Sequence, residues 1–284
     1  MVIIVNNCRH ARFLYDMVKE TEGTFLLTTL LCAKHRSFVL EKIRVDLIKD
    51  KPCRVISTSL IEAGVDVDFP CVMRAETGLD SIAQAVGRCN REGKNSPEQS
   101  EVLVFQAEET WKNPPELGTL VASMREIVRQ HKDNLLSPQA MENYFSLVYW
   151  QKGAKLDKKQ LLQLHSAGAS SLDFSFQTIA RCFQMIESCL MPLIIPYDNE
   201  AEQLIDNLRY AERTGGLARS LQPYIVQVPQ KALEELYRLD HVEIINRACL
   251  GQQFYALIGK ELYDPDAGLS WENPTFLKCE SLVL

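Results

Sequence analysis

Residues 54–93 read RVISTSLIEAGVDVDFPCVMRAETGLDSIAQAVGRCNREG, and the reading of the fold starts from them. The stretch opens with Arg54-Val55-Ile56-Ser57, a β-branched run suited to a buried strand. Ser57-Thr58-Ser59 leads into a short helical stretch through Glu62 and then into Gly64-Val65-Asp66-Val67-Asp68. Cys71-Val72-Met73 suits the next strand. Asp80 or Ser81 is placed to cap a helix that carries Ile82, Ala83 and Val86 on one face, with Gln84, Gly87, Arg88 and Arg91 on or just beyond it. Arg88 and Arg91 are then expected on neighbouring turns, within reach of one small target. Guanidinium is planar, always charged and bidentate, which suits it to a phosphate. A hydroxyl pair such as Ser57-Thr58 at the carboxyl end of a parallel strand stands where an open α/β sheet binds ligands.

Two segments carry a resemblance. Ser57 to Asp66, STSLIEAGVD, resembles motif V of superfamily 2 helicases, and Gln84 to Arg91, QAVGRCNR, fits their motif VI, QxxGRxxR. The surrounding residues, IEAGVDVDFP and GLDSIAQAVGRCNREGK, resemble the CRISPR-associated helicase–nuclease of type I systems, most closely its I-C branch. The resemblance implies a second RecA-like lobe that faces ATP bound between two lobes. Arg88 and Arg91 would stabilise charge on the γ-phosphate and Gln84 would position it. Asp66 would contact the nucleotide at its ribose, with Gly64 and Gly87 on the nucleotide side. Thr58 and Ser57, with Asn6, His35 and Arg36, would hold a single-stranded DNA backbone.

Composition sets the frame. The 284 residues suffice for one large or two ordinary domains, and 46% hydrophobic with 24% charged residues is the balance of a globular protein. No window approaches the roughly 18 apolar residues of a membrane span, so no membrane partner is expected. Nine cysteines without a CxxC pair argue against a disulfide framework or a zinc site and for buried thiols in a reducing, cytoplasmic compartment; no metal site is expected. The net charge is −6, and residues 1–105 hold 14 basic against 14 acidic side chains. That is no broad basic footprint, so a nucleic acid would have to bind in a local groove.

Read in order, Val2 to Val5 is a buried strand. Asn6-Asn7 either caps the following helix, Arg9 to Thr21, or faces a ligand. Phe25 onward gives a strand, a turn at His35-Arg36 and a helix through Ile48, with His35-Arg36 as cap or phosphate contact. Glu101 to Phe105 closes the sheet. The expected fold is α/β: a RecA-like open parallel sheet over 1–110, a helical linker over 111–170 and a smaller mixed α/β domain over 171–284. In the linker, a helix runs from Leu117 to Lys132, and Ser137-Pro138 starts another with Met141, Tyr144, Phe145 and Val148 on its buried face. Lys152, Lys155, Lys158 and Lys159, near Trp150, either grip a nucleic-acid backbone or form a solvated face. Beyond, Phe176 to Leu190 reads as a helix, and strands are expected at Leu193–Pro196, Tyr224–Val228 and Phe254–Leu257.

The chain contains no GxxxxGK[ST] loop, no DExx box and no His-Asp nuclease motif. The resemblance therefore implies the C-terminal half of a helicase–nuclease, with ATP and Mg²⁺ bound only together with a first lobe that carries the phosphate cradle. The implied partners are that first-lobe and nuclease half, single-stranded DNA and the CRISPR surveillance complex of Cascade type. The other reading is a non-catalytic fragment that docks on that complex or on a full-length enzyme.

Overall fold

The structure is a computed structural model that describes residues 1–62, 64–93, 95–96, 100–111, 113–132, 134–163, 175–183 and 190–271. It forms two compact units. One comprises Met1–Glu76, Ser81–Asn113 and the residues from Leu190 onward; the other comprises Thr77–Asp80 and Pro114–Cys189. The residues from Leu190 onward thus share a unit with the first part of the chain.

Five strands make a wholly parallel sheet: β1 (Val2–Ile4), β2 (Thr24–Leu27), β3 (Arg54–Ser57), β4 (Cys71–Ala75) and β5 (Glu101–Phe105), in the order β2-β3-β1-β4-β5. Alternation along each strand sorts side chains to two faces. Val2, Ile4, Val55 and Val72 pack with Val39 and Ile43 of α2 (Ala33–Ile48) and Ala85 of α3 (Leu79–Val86). Val5, Leu26, Ile56 and Ala75 pack on the other side with Ala11 and Tyr15 of α1 (Cys8–Val18). Burying each such aliphatic chain contributes about 1.5–3 kcal/mol. The strand order reverses at β1, so the carboxyl ends of β1, β3 and β4 open at the switch point where such sheets take ligands.

Local sequence explains the helix ends, with some differences from expectation. Asn7 caps α1, its side chain accepting from His10 N at 2.7 Å, which leaves Asn6 for other work. His35 and Arg36 lie inside the first turns of α2 and not in a turn before it. Helix α3 begins at Leu79, so Asp80 and Ser81 are within it and do not cap it.

The residues from Leu190 onward build a second, mixed sheet of β6 (Leu190–Ile194), β7 (Ile225–Pro229), β8 (Val242–Ile244) and β9 (Tyr255–Leu257) in the order β7-β6-β9-β8. Only the β6–β9 pair is parallel. A hairpin of β10 (Tyr263–Asp264) and β11 (Gly268–Leu269) ties this part to the parallel-sheet lobe. Leu269 N donates to Leu30 O at 2.9 Å, and Ala267 is buried among Val5, Ala11 and Leu26. Gly268 has φ 76°, and a Cβ there would stand 2.5 Å from Leu30 O, so only glycine permits this approach.

In the other unit, α4 (Leu117–Gln130) packs on α5 (Pro138–Lys152). Ser137 caps α5 and Pro138 takes its first turn, as the sequence predicts. The buried stripe is Ala140, Tyr144 and Val148 at i, i+4 and i+8. Phe145, expected inside, is exposed, and Met141 is half-buried. Tyr144 donates to Asp80 Oδ1 at 3.0 Å. The helix expected over 176–190 is described as Phe176–Cys182; residues 184–189 lie outside the described residues.

Candidate functional site

The two segments singled out by sequence are joined by backbone. Phe69 N donates to Arg88 O at 2.9 Å and Asn90 N donates to Phe69 O at 3.1 Å, a parallel bridge between Phe69 and Cys89. This bridge sets the path of the chain beyond α3. The helix ends at Val86, so Arg88 and Arg91 are not on neighbouring helical turns; they sit on a turn pinned alongside residues 66–69. Asp68 secures it further, its Oδ1 accepting from Arg91 N at 2.8 Å and its Oδ2 from Glu92 N at 3.3 Å. Asn90, at φ 48°, closes the loop through paired bonds with the Asn95 backbone at 2.7 and 2.9 Å.

Within this frame the Arg91 guanidinium forms an ion pair with the Asp66 carboxylate. Both are open to solvent, Arg91 by 46% and Asp66 by 83% of its side chain. Arg91 can therefore turn to another anion at little cost, since an exposed pair is worth about 0–1 kcal/mol. Arg88 points inward. Its Nη2 donates to Glu62 O at 2.7 Å, while its Nε is buried and lacks a hydrogen-bond partner. Gln84 is exposed on the last turn of α3 and Gly87 is exposed just past it. Gly64 sits at φ 71° with open space around its Cα, so its glycine answers to backbone conformation alone.

The strand-end residues behave differently. Thr58 is largely buried at the carboxyl end of β3. Ser57 is fully buried, its hydroxyl 2.7 Å from Leu27 O and 3.0 Å from Thr58 O, and so bonded to backbone. Asn6 donates through Nδ2 to Glu76 O and to Asn113 Oδ1, both at 2.7 Å. Its Oδ1 accepts from Arg74 Nη1 at 2.6 Å.

Arg74 is a residue that the sequence pattern does not single out. It is 1% exposed near the carboxyl end of β4, and its Nε forms an ion pair with Glu62 Oε1 at 2.6 Å in a fully buried setting. The chain of contacts runs from Arg88 through Glu62 and Arg74 to Asn6 and Asn113. It ties the end of β1 at Asn6 to the segments that resemble motifs V and VI. The one sequence signal is an arginine inside the apolar run Cys71–Ala75, where a charge needs a buried partner.

His35 and Arg36 are separated from this network. His35 is 2% exposed, stacked on Tyr197 at 4.8 Å, with Nδ1 3.0 Å from the Tyr263 hydroxyl, which also accepts from Cys32 N at 3.1 Å. The donor in the ring–hydroxyl bond follows the imidazole tautomer, since the hydroxyl oxygen can accept from Cys32 N in either case. Burial pushes the His35 pKa down to about 4, so the ring is neutral at pH 7 and locks α2 to the hairpin. Arg36 is half-buried and donates through Nη1 to Leu31 O at 2.9 Å.

The His35 shift has a pH consequence. Its folded pKa lies below the unfolded value, so the unfolded state binds the proton first. The stabilisation is complete above about pH 6.5 and is lost as pH falls towards 4. Burial depresses His10 as well, in the same sense. Thermal unfolding between pH 7 and 5 should therefore show a falling midpoint, and His35→Gln, which cannot titrate, should flatten that slope. An equal slope in the variant would remove His35 from the account.

Among the described residues, no group of three or more His, Cys, Asp or Glu could hold a metal ion, and no helix is long and apolar enough to cross a membrane.

Residues 1–94 match the family described as CRISPR-associated nuclease/helicase Cas3, C-terminal. A CRISPR-associated nuclease/helicase Cas3 of Methanothermobacter thermautotrophicus is 32% identical over 91 residues, which is 32% of this chain and 11% of the relative. That of Haloferax volcanii is 39% identical over 87 residues, 29% of this chain and 9% of the relative. The chain thus spans about a tenth of the length of these relatives. The fold is similar to crystal structures of T. fusca Cas3 (TM-score 0.61, 14% identity) and of T. fusca Cas3 with ATP (0.60, 12%), each alignment covering 95% of this chain and 38% of the other. It is also similar to a chain in a CRISPR RNA-guided surveillance complex before nicking, with TM-score 0.56, 12% identity and coverage of 95% and 40%.

Proposed function

We propose that the chain is the second RecA-like lobe and C-terminal portion of a CRISPR-associated, ATP-dependent DNA helicase–nuclease, acting with a first lobe outside residues 1–284. The observation that carries this reading is the Phe69–Cys89 bridge, which pins the QAVGRCNR turn beside Gly64–Asp68 and presents Arg91 on an exposed, exchangeable ion pair. The Arg88 Nε, buried without a partner, is a second donor whose acceptor is missing. These groups fit the phosphate end of a nucleotide. Bound ATP with Mg²⁺ supplies the free energy of the motor, and the cradle for both belongs to the first lobe.

In this reading Arg91 leaves Asp66 for the γ-phosphate, and the freed carboxylate accepts from a ribose hydroxyl. Arg88 adds positive charge and at the same time holds Glu62, and Gln84 orients the terminal phosphate. Gly64 and Gly87 keep the backbone clear on that side. Thr58, Asn6 and Arg36 take the single strand. Ser57 and His35 support them, since the Ser57 hydroxyl is bonded to backbone and the His35 ring is neutral. The resulting motor works on single-stranded DNA delivered by the surveillance complex.

The test is reconstitution. The purified chain should hydrolyse ATP at background rate with or without single-stranded DNA. Adding a separately expressed first lobe with an intact phosphate loop should produce DNA-stimulated hydrolysis. Co-purification of the two lobes without any hydrolysis would overturn the reading.

A further inference from the structure

We propose that the solvent face of α5 and the turn after it form a separate contact for single-stranded nucleic acid, in which unpaired bases stack on Tyr149 and Trp150 and phosphates meet Lys152, Lys155 and Lys158. This deepens the proposed function and takes the strand as ligand from it, but it needs neither ATP nor the first lobe.

Three aromatic rings stand in solvent on this helix: Phe145 is 36%, Tyr149 55% and Trp150 80% exposed. Phe145 and Tyr149, one turn apart, are stacked at 6.0 Å with 25° between ring planes, so they already present flat surfaces in series. Large aromatic side chains left this open forgo substantial apolar burial, which is how an interaction site looks. Tyr144, by contrast, is fully buried, so the helix has a complete inner stripe without them.

Charge decides the kind of partner. Residues 150–160 hold four lysines against one aspartate in a protein of net charge −6. Among the described residues, Lys152, Lys155 and Lys158 are exposed and pair with no carboxylate. Asp157 is turned to the backbone, its two oxygens accepting from Leu161 N at 2.7 Å and Leu162 N at 3.0 Å. Gly153, at φ 44°, ends the helix, and the chain continues as the short 3-10 turn Gly153–Asp157 that carries Lys155. Rings followed by free ammonium groups match a ligand with alternating flat bases and phosphates. A duplex hides its bases, so the strand must be single. An anionic membrane would satisfy the lysines, but exposed Glu142 and Ser146 interrupt the aromatic face and leave no broad apolar stripe to insert.

The full chain is titrated with labelled oligo-dT of roughly 15 nucleotides at several salt concentrations. Trp150→Ala and Tyr149→Ala should each weaken binding by about tenfold, and Trp150→Phe, which keeps a stacking surface, should recover most of the loss. Replacing Lys152, Lys155 and Lys158 by Gln should lower the slope of log K against log salt by about 2. All these side chains are exposed, so thermal unfolding should match the parent. Thr58→Val, at the lobe, should leave the aromatic and lysine effects in place. Oligonucleotide binding unchanged in the triple lysine and Trp150→Ala variants would overturn the proposal, as would tighter binding to phosphatidylserine vesicles than to the oligonucleotide. Failure of the motor reading shows instead as absent hydrolysis after reconstitution, with this binding intact.

Discussion

Arg74→Ala is expected to lower the unfolding free energy by about 3–5 kcal/mol, because it strands the Glu62 carboxylate in a dry interior. Arg74 and Glu62 are each 2% exposed at the side chain, and the pair lies at 2.6 Å. The same substitution removes the 2.6 Å bond to Asn6 Oδ1 and so loosens Asn6 against Glu76 and Asn113. At roughly 2–4 °C per kcal/mol, the midpoint should fall by about 10 °C. Replacing both partners by methionine should recover much of the loss, because a buried ion pair replaced whole by apolar groups is often close to neutral. Urea unfolding of the parent, both single variants and the double variant gives the coupling directly. An Arg74→Ala variant within about 0.5 kcal/mol of the parent, the scale of ordinary surface substitutions, would show that the pair does not hold the site together.

The elements legible in the sequence are those whose signal is local. Each strand of the parallel sheet is a short apolar run with β-branched residues, and the buried face of α1 follows helical spacing. The features that stay hidden depend on register or on a distant partner. Arg74 and Glu62 are twelve positions apart, and only the pairing of β4 with β1 places Arg74 under Asn6. The turn carrying Arg88 and Arg91 departs from helix because Phe69 captures Arg88 O and Asn90 N, a contact that no periodicity announces. Hairpin β10–β11 has two residues per strand, too few for alternation to be seen, yet it carries Ala267 into the core and holds His35 through Tyr263. His35 next to Arg36 reads as a basic pair; burial makes one of the two neutral. Phe145 reads as inward because Met141, Tyr144, Phe145 and Val148 fall on one helical face, but the buried stripe is Ala140, Tyr144 and Val148, and Phe145 lies about 100° round the helix from Tyr144.

In a reconstituted motor, Arg91→Ala should cut DNA-stimulated ATP hydrolysis by a factor approaching the roughly 10³–10⁵ that an arginine finger supplies in related phosphoryl transfer. The geometry makes Arg91 the cleaner test of the two arginines. Its described side-chain bond is the exposed pair with Asp66, so its loss should leave stability within about 1 kcal/mol. Arg88 also fastens Glu62 O, so Arg88→Ala mixes a catalytic loss with a structural one. Arg91→Lys keeps the charge but not the planar fork; if bidentate charge stabilisation is the role, lysine should restore only a minor part of the rate. Asp66→Asn separates tether from finger, since it frees Arg91 without removing it and should leave the rate far above that of Arg91→Ala. Single-strand affinity, measured on the same preparations, should change little in Arg91→Ala, because the strand contacts proposed above are at the ends of β1 and β3 and on α2. Hydrolysis by Arg91→Ala within a factor of about two of the parent would reduce the ion pair to surface charge and leave the bridge at Phe69 without a catalytic purpose.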